Sequence, residues 1–269
     1  MPTEQYEVFA ILYAKSIRHS KGFFLDEDPH NGPAQINYYI WVIRNDSRII
    51  VVDTGFDAAR AVTRSRDFIR SPMEGLASLG IDAADVGTVI LTHLHYDHAG
   101  NIDEFPRAEF VLQDEEMRFA TGRSMRFKPL RAPFELTDIL SMVTRSHEGR
   151  IRFVTGTEEI APGVTVHHVP GHTKGLQAVT VETSRGRLCL ASDAAHFYAN
   201  IALQSPFPIV ADVSAVLEGH ERISRLAGSL DRLIPGHDPL VMEHFPQWAN
   251  DPLIRELSGA PLRLDGTDT

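Results

Sequence analysis

Cysteine is nearly absent from this 269-residue chain. Cys189 is the only one, so no intrachain disulfide can form and a reducing compartment fits. Within Leu188-Cys189-Leu190-Ala191 it reads as a small buried residue. Long hydrophobic runs are missing too; the longest are strand-sized, so no segment is expected to span a membrane. Nor is there a Lys/Arg cluster. With 26 basic against 36 acidic residues the formal net charge is -10, which argues against a nucleic-acid-binding surface. Residues 1–7 lack the basic start and apolar run of a secretory signal. No low-complexity tract, charge block or Gly/Ser linker divides the sequence. A single domain over residues 1–269, located in the cytoplasm, is the expectation. What is present is ordinary for an enzyme, with 43% apolar residues to form a core and 23% charged.

Short β-branched runs bounded by turn residues predict strands near 7–13, 37–44 and 48–53, the last two joined by Asn45-Asp46-Ser47. Helical patterns follow at 56–66 and 73–79, then strands at 86–91 and 108–112. Segments 114–121 and 135–147 read as helices. Between them, Lys128-Pro129-Leu130-Arg131-Ala132-Pro133 cannot be continuous helix, which makes about 113–149 the candidate lid or substrate-facing insertion. Strands are expected again at 151–154, 164–169, 177–183 and 187–190. A helix at 213–226 rests on Val213, Val216, Leu217, Ile223 and Leu226, and a last strand at 230–234 precedes a loop-rich tail. Strands and helices in both halves suggest an α/β (α+β) sandwich, two mixed sheets face to face with helices outside.

His93-Leu94-His95-Tyr96-Asp97-His98 packs four candidate metal ligands into six positions. Imidazole and carboxylate suit a borderline-soft divalent ion such as Zn²⁺. Thirteen histidines make scattered singles unremarkable, and a lone one is more often a hydrogen-bonded core or surface residue. Three with an aspartate at fixed spacing are not scatter. The predicted strand before them and the turn Ala99-Gly100-Asn101 after them place the ligands on a loop at a strand's carboxyl end, held by a sheet yet open to solvent. In an extended loop the imidazoles at i and i+2 share one side, and Asp97 and His98 can turn toward a second ion. Four ligands cannot close two coordination spheres. Three more candidates lie just after predicted strands: His172 in Pro170-Gly171-His172, Asp193 in Ser192-Asp193, and His237 in Pro235-Gly236-His237. Each alone is weak, since a Pro-Gly-His sequence can simply be a turn.

Together these motifs resemble the metallo-β-lactamase superfamily in its two-metal hydrolase form. Thr92-His93-Leu94-His95-Tyr96-Asp97-His98-Ala99-Gly100 matches its ligand loop. Pro170-Gly171-His172-Thr173, Ser192-Asp193-Ala194 and Pro235-Gly236-His237-Asp238 match its later motifs in order, and Val51-Val52-Asp53-Thr54-Gly55 resembles its early strand-turn. The resemblance implies an αββα sandwich with two divalent metal ions at one sheet edge. It assigns His93, His95 and His172 to the first ion, Asp97, His98 and His237 to the second, and Asp193 to a bridge between them. Zn²⁺ suits this nitrogen-rich set best, and Mn²⁺, Fe²⁺ or Co²⁺ fit it as well. Asp53 either supports a ligating imidazole, or ties down the ligand loop, or merely caps a strand-end turn.

Within the superfamily the chain is most similar to the N-acyl homoserine lactonases, on Leu94, Asp97-His98-Ala99-Gly100, chain length and an unbroken Asp193. That likeness implies hydrolytic opening of N-acyl homoserine lactones or a related small lactone by a metal-held hydroxide, with Asp97 both ligand and proton acceptor. The partner is then a small lactone or ester, with neither nucleic acid nor membrane, and the protein a monomer or homodimer. One departure stands out. The lactonases carry a tyrosine three residues after the bridging aspartate, where this chain has His196 in Asp193-Ala194-Ala195-His196-Phe197-Tyr198. Either His196 or Tyr198 makes the substrate contact, or His196 is packed beside Phe197. Phe23-Phe24-Leu25, Met125, Phe127 and Phe207-Pro208-Ile209 are candidates for an acyl pocket, against the commoner core or interface role.

Other ester, thioester or amide hydrolases of the superfamily stay open. A β-lactamase is disfavoured by Asp193, where the penicillin-hydrolysing branch usually has cysteine. A glyoxalase II-like thioesterase is disfavoured by the short tail after His237, whose basic residues are Arg255 and Arg263. The non-enzyme alternative is a metal-binding scaffold or sensor.

Overall fold

Alternation of side chains along the strands sorts the apolar residues into three separate layers, and that sorting defines the architecture. The computed structural model describes residues 4–19, 22–26 and 32–262. The first sheet takes β1 (Glu7–His19), β2 (Pro33–Arg44), β3 (Ile49–Val52), the two-residue β4 (Asp67–Phe68), β5 (Thr88–Ile90), β6 (Glu109–Gln113) and β7 (Ile151–Val154). The second takes β8 (Thr157–Ala161), β9 (Val164–His168), β10 (Gln177–Thr183), β11 (Gly186–Ser192) and β12 (Leu233–Pro235). Then β13 (Gln247–Trp248) and β14 (Asp251–Glu256) return the chain to the first sheet. The sheet orders are β13-β14-β1-β2-β3-β5-β6-β7, with β4 on β1, and β12-β11-β10-β9-β8. Neighbours from β3 to β7 run parallel, as do β11 and β12, while the other pairs are antiparallel, so both sheets are mixed.

On β1, Val8, Ala10 and Leu12 point into the space between the sheets and meet Val179, Val181, Leu188 and Leu190 of β10 and β11. The intervening Phe9, Ile11 and Tyr13 point the other way. There they join residues of α1 (Ala58–Arg64), α2 (Pro72–Ser78), α3 (Asp114–Thr121) and α5 (Leu136–His147); the single turn α4 (Lys128–Arg131) lies between the last two. On the far side, Ala178, Cys189 and Ala191 meet Tyr198 of α6 (Tyr198–Ala202) and Ile223 and Ala227 of α7 (Val213–Ala227). Each sheet is therefore apolar on both faces, and only an αββα stack covers all four. The expected sandwich is observed, and Cys189 is a small buried residue within it.

Several boundaries differ from expectation for local reasons. The strand foreseen at 86–91 is shortened to β5, because Ala83–Asp85 forms a 3-10 turn capped by Asp82. The strand foreseen at 230–234 begins only at Leu233, after a 3-10 turn at Leu230–Arg232. The supposed loop-rich tail holds α8 (Leu240–His244), β13 and β14; β14 pairs with β1 through Phe9↔Glu256. Its Pro252 and charged ends hide the strand pattern. The polar β8 was likewise not foreseen, and it sits at a sheet edge, where charged residues are ordinary. In α4, Pro129 occupies the first turn, where its missing N–H costs nothing. No helix among the described residues is long and apolar enough to cross a membrane.

The sheet-to-sheet layer carries the stability. Leu190→Ala should cost about 2–5 kcal/mol in urea denaturation, whereas Val62→Ala, at a position 79% exposed, should change stability by less than about 0.5 kcal/mol.

Candidate metal centre

Five strand ends carry the site. β3 leads into Asp53, β5 into the loop of residues 92–98, β9 into His172, β11 into Asp193 and β12 into His237. The parallel pairs β3/β5 and β11/β12 bring their ligand-bearing ends to the same edge. Asp53 has φ 61, a left-handed backbone that aspartate tolerates better than most residues. Its fully buried carboxylate accepts from the Thr92 amide at 2.7 Å, the Thr92 hydroxyl at 2.8 Å and His98 Nδ1 at 2.7 Å. Of the roles open to Asp53, the geometry therefore shows loop anchoring and imidazole support together. The Thr92 hydroxyl also lies 2.8 Å from that of Ser192, joining the loops of the two sheets.

Two glycines make the convergence feasible. A Cβ at Gly236 would sit 2.8 Å from Asp193 Oδ1, and one at Gly171 (φ 139) would sit 2.5 Å from the Val216 amide nitrogen. Buried Glu116 of α3 accepts from the Leu94 and Gly175 amides, both at 3.0 Å, and so clamps the ligand loop to the His172 loop.

Hydrogen bonds on the outer ring nitrogens aim the inner ones. His98 Nδ1 is held by Asp53, and His237 Nδ1 donates to the Asn37 carbonyl at 2.7 Å, so both Nε2 atoms face Asp193. Asp193 stands in the middle. Its Oδ1 is 3.0 Å from His237 Nε2 and 3.2 Å from His98 Nε2; its Oδ2 is 3.1 Å from His172 Nε2 and 3.8 Å from His93 Nε2. His95 Nδ1 faces His172 Nε2 at 2.9 Å. Asp97 Oδ2 lies 3.9 Å from both His98 Nε2 and His237 Nε2.

Donor atoms gather within 4.8 Å of one another in three groups: His93, His95, His172 and Asp193; Asp97, His98 and His237; and Asp193, His196 and His237. His93 Nε2, His98 Nε2 and Asp193 Oδ1 are buried without a hydrogen-bond partner. Unpaired buried donors and acceptors of this kind cost free energy, and a pair of cations sharing Asp193 would satisfy all three. The donor set thus fits a divalent metal. Burial holds His93 and His95 well below the ordinary imidazole value. Burial also works against a charged His98 and His237, but Asp193 and the neighbouring carboxylates outweigh it and raise both. Burial pushes the Asp193 carboxyl up, yet the surrounding imidazoles prevail and hold it well below the usual carboxylate range.

The chain's likeness to known proteins agrees with this geometry. The model of the Metallo-beta-lactamase superfamily matches residues 35–249. The chain belongs to that superfamily. It is 26% identical over 185 residues to an N-acyl homoserine lactonase of a Bacillus species, an alignment covering 63% of this chain and 68% of that protein. It is 32% identical over 193 residues to an N-acyl homoserine lactonase of Agrobacterium fabrum, covering 69% of this chain and 60% of that one. Among solved structures it is similar to a quorum-quenching N-acyl homoserine lactone lactonase, with a TM-score of 0.73 at 20% identity over 88% of this chain and 94% of the other. At that identity the structural match speaks for the fold alone.

In this superfamily member the seven candidate ligands foreseen from the motifs all fall in the donor groups. An open cavity of about 140 Å³ lies above them, with Asp97, Asp193 and His196 in its wall beside Tyr38, Tyr96, Phe207 and three arginines, Arg18, Arg64 and Arg66. Ala132 and Pro133, from the middle of the 113–149 stretch, complete one side. An adjoining cavity of about 260 Å³ is lined by Phe119, Pro129, Leu130, Pro208, Ile209 and Val210, with His95 and His172 at its base.

His196 lies at the cavity, its ring stacked on Phe207 at 3.8 Å rather than on Phe197, and its Nε2 3.1 Å from Asp193 Oδ2. Tyr198, the other candidate for the substrate contact, is directed elsewhere. Its hydroxyl donates to the Leu233 carbonyl at 3.0 Å beneath α7. The foreseen acyl-pocket residues divide. Phe207, Pro208 and Ile209 line the cavities; Phe23 is stacked between Phe197 and Phe207; Phe24 and Met125 pack on the core; Leu25 and Phe127 are exposed.

Tyr38, Tyr96, Arg66, Glu116 and the Asn37 carbonyl were not foreseen. Tyr96 stood inside the ligand motif, and Glu116 is a carboxylate on the buried face of a helix, so both were findable. A backbone carbonyl leaves no trace in the sequence. If Asp53 supports His98 as described, Asp53→Asn should weaken divalent-metal affinity about 10–100-fold in competition with a chromophoric chelator. Unchanged affinity would reduce Asp53 to a turn cap.

Proposed function

We propose that this protein is a dinuclear-metal-dependent hydrolase that opens small lactones, N-acyl homoserine lactones or close relatives. The observation that carries this reading is Asp193, whose two oxygens face different imidazole sets at the base of an open cavity. His93, His95 and His172 would hold one ion, Asp97, His98 and His237 the other, with Asp193 shared, and Zn²⁺ suits the set best. When bound, such an ion pair supplies a water ionised near neutral pH and positive charge for a developing oxyanion.

The chain's own residues account for the rest. Asp97, its side chain 12% exposed where that of Asp193 is 3%, is the more accessible carboxylate of the cavity; it would take the proton that the attacking water gives up and return it to the ring oxygen as the acyl–oxygen bond breaks. His196 is held neutral by burial, its pKa lowered to about 3, and its Nε2 fixes Asp193 Oδ2. The same ring, flat on Phe207, forms the wall against which the substrate carbonyl rests. The adjoining apolar cavity takes an acyl chain, each buried methylene contributing about 0.8 kcal/mol. The names of the relatives support the lactone class, and the single buried cysteine suits the cytoplasm.

Metal-loaded protein should hydrolyse a panel of γ-lactones, read by acid release; chelation should abolish turnover, and Zn²⁺ or Mn²⁺ should restore it. Turnover of no lactone or ester would overturn the reading. Asp97→Asn should lower kcat by about 10²–10⁴-fold with both ions retained by elemental analysis. His196→Ala should lower kcat/KM. Tyr198→Phe should leave kcat/KM within about twofold and cost about 1 kcal/mol of stability for the lost buried hydrogen bond.

A further inference from the structure

The chain carries a formal net charge of -10, yet the cavity above the donor groups collects three arginines. Only one is neutralised by a described residue. Arg64 places Nε and Nη2 on Glu135 and Nη1 on the Ala132 carbonyl, with its guanidinium 4.3 Å from the Tyr96 ring. Arg66 spends Nε on the Tyr96 hydroxyl at 3.0 Å and Nη1 on the carbonyls of Arg64 and Ser65. Its Nη2 has no acceptor, and it forms no ion pair, among the described residues. Arg18, exposed near the end of β1, forms no ion pair with a described residue either. Elsewhere Arg60, Arg70 and Arg185 each take a carboxylate within 3.0 Å. Asp97 shares the cavity with Arg66 but lies beyond ion-pair distance and belongs to a donor group.

Tyr38 links these arginines to the centre. Its ring lies 5.3 Å from that of His237, and the Arg66 guanidinium lies 5.7 Å from its centroid. Arg18 and Arg66 both act electrostatically on its phenol. Two guanidinium groups without an ion pair among the described residues thus face Tyr38, whose ring borders the donor cluster. Planar guanidinium forks match a carboxylate in shape and charge, and a half-buried cation without a partner gains most from one. The contact of Arg66 with Tyr96 explains where that side chain lies. It explains neither its open Nη2 nor Arg18.

We propose that the preferred substrates of this site are lactones or esters bearing a carboxylate a few bonds from the reacting carbonyl, bound by Arg66 and Arg18. The proposal rests on the hydrolase reading and names the substrate class of that same site.

Zn²⁺-loaded enzyme is assayed with mono(4-nitrophenyl) glutarate and with its terminal methyl ester, both read as nitrophenol release. The free acid should be favoured at least about tenfold in kcat/KM, the preference falling as salt rises. R66Q and R18Q should each shrink that preference about fivefold through KM, and R66K should keep part of it. Melting temperatures establish that the variants fold, and exposed Arg18 provides a substitution that disturbs no packing. Calorimetric titration with glutarate supplies a readout without turnover, and binding should weaken at least about fivefold in R66Q.

Equal kcat/KM for acid and methyl ester, or a preference that both variants leave unmoved, overturns the carboxylate subsite while the hydrolase reading stands. Neither ester turned over, nor any lactone of the panel, with glutarate binding that depends on Arg66, overturns the hydrolase reading and supports the anion subsite. Neither turnover nor Arg66-dependent binding overturns both.

Discussion

Burying the Asp193 carboxylate among imidazoles is the constraint on which the rest of this structure depends. Asp193, His93, His95, His98, His172 and His237 are each no more than 4% exposed, and several of their polar atoms have no hydrogen-bond partner. Left alone, such a cluster costs several kcal/mol, because its polar atoms have given up water and gained little in return. Two features keep it assembled. The strands that deliver it are locked by apolar layers on both faces of each sheet, and the outer ring nitrogens and loop amides are fixed by Asp53, Glu116 and the Asn37 carbonyl. The fold thus supplies the stability that the site withdraws, and a cation would recover the remainder.

That division explains what could be read from the sequence. Ligands at strand ends are legible because the strand before each one has a local pattern: β-branched or apolar residues, then a turn, then His or Asp. The 92–98 loop, His172, Asp193 and His237 all follow this form, and so does the alternation that separates Val8, Ala10 and Leu12 from Phe9, Ile11 and Tyr13. Strands at or next to a sheet edge were less legible. β8 and β14 owe their strand conformation to the neighbour they pair with rather than to their own residues, whose charges and proline point the other way. The direction of single side chains was not legible at all. Tyr198 is two residues from His196, yet one faces the Leu233 carbonyl and the other Asp193, because a short helix begins between them.

The cavity walls follow a different logic. Tyr38 comes from β2, Arg18 from β1, Arg66 from just beyond α1, Pro133 from before α5, and Phe207 from the segment after α6. None is tied to a motif, and each is near the others only because two sheets and their helices have packed. Their chemistry can therefore change without disturbing the donors, whose geometry is set beneath them by strand ends. Within one ligand arrangement the walls are free to be apolar, aromatic or cationic.

Resemblance in the motifs accordingly says much about the metal centre and little about the substrate. In this chain the two cavities differ in character: Phe119, Leu130, Pro208 and Val210 line an apolar one, and Arg18, Arg66 and Tyr38 stand in the wall of the other. A purely aliphatic acyl chain would use the first and leave the guanidinium groups to water. Half-buried Arg66 forms no ion pair among the described residues, and a bound carboxylate would give it one. His196 in place of the tyrosine of the resembled lactonases fits the same view. The stacked imidazole presents a flat, neutral wall braced on Asp193, and specificity then falls to groups farther out. In the proposed hydrolase the donor cluster would carry out the hydrolysis, and the apolar and cationic recesses would select which acid is released.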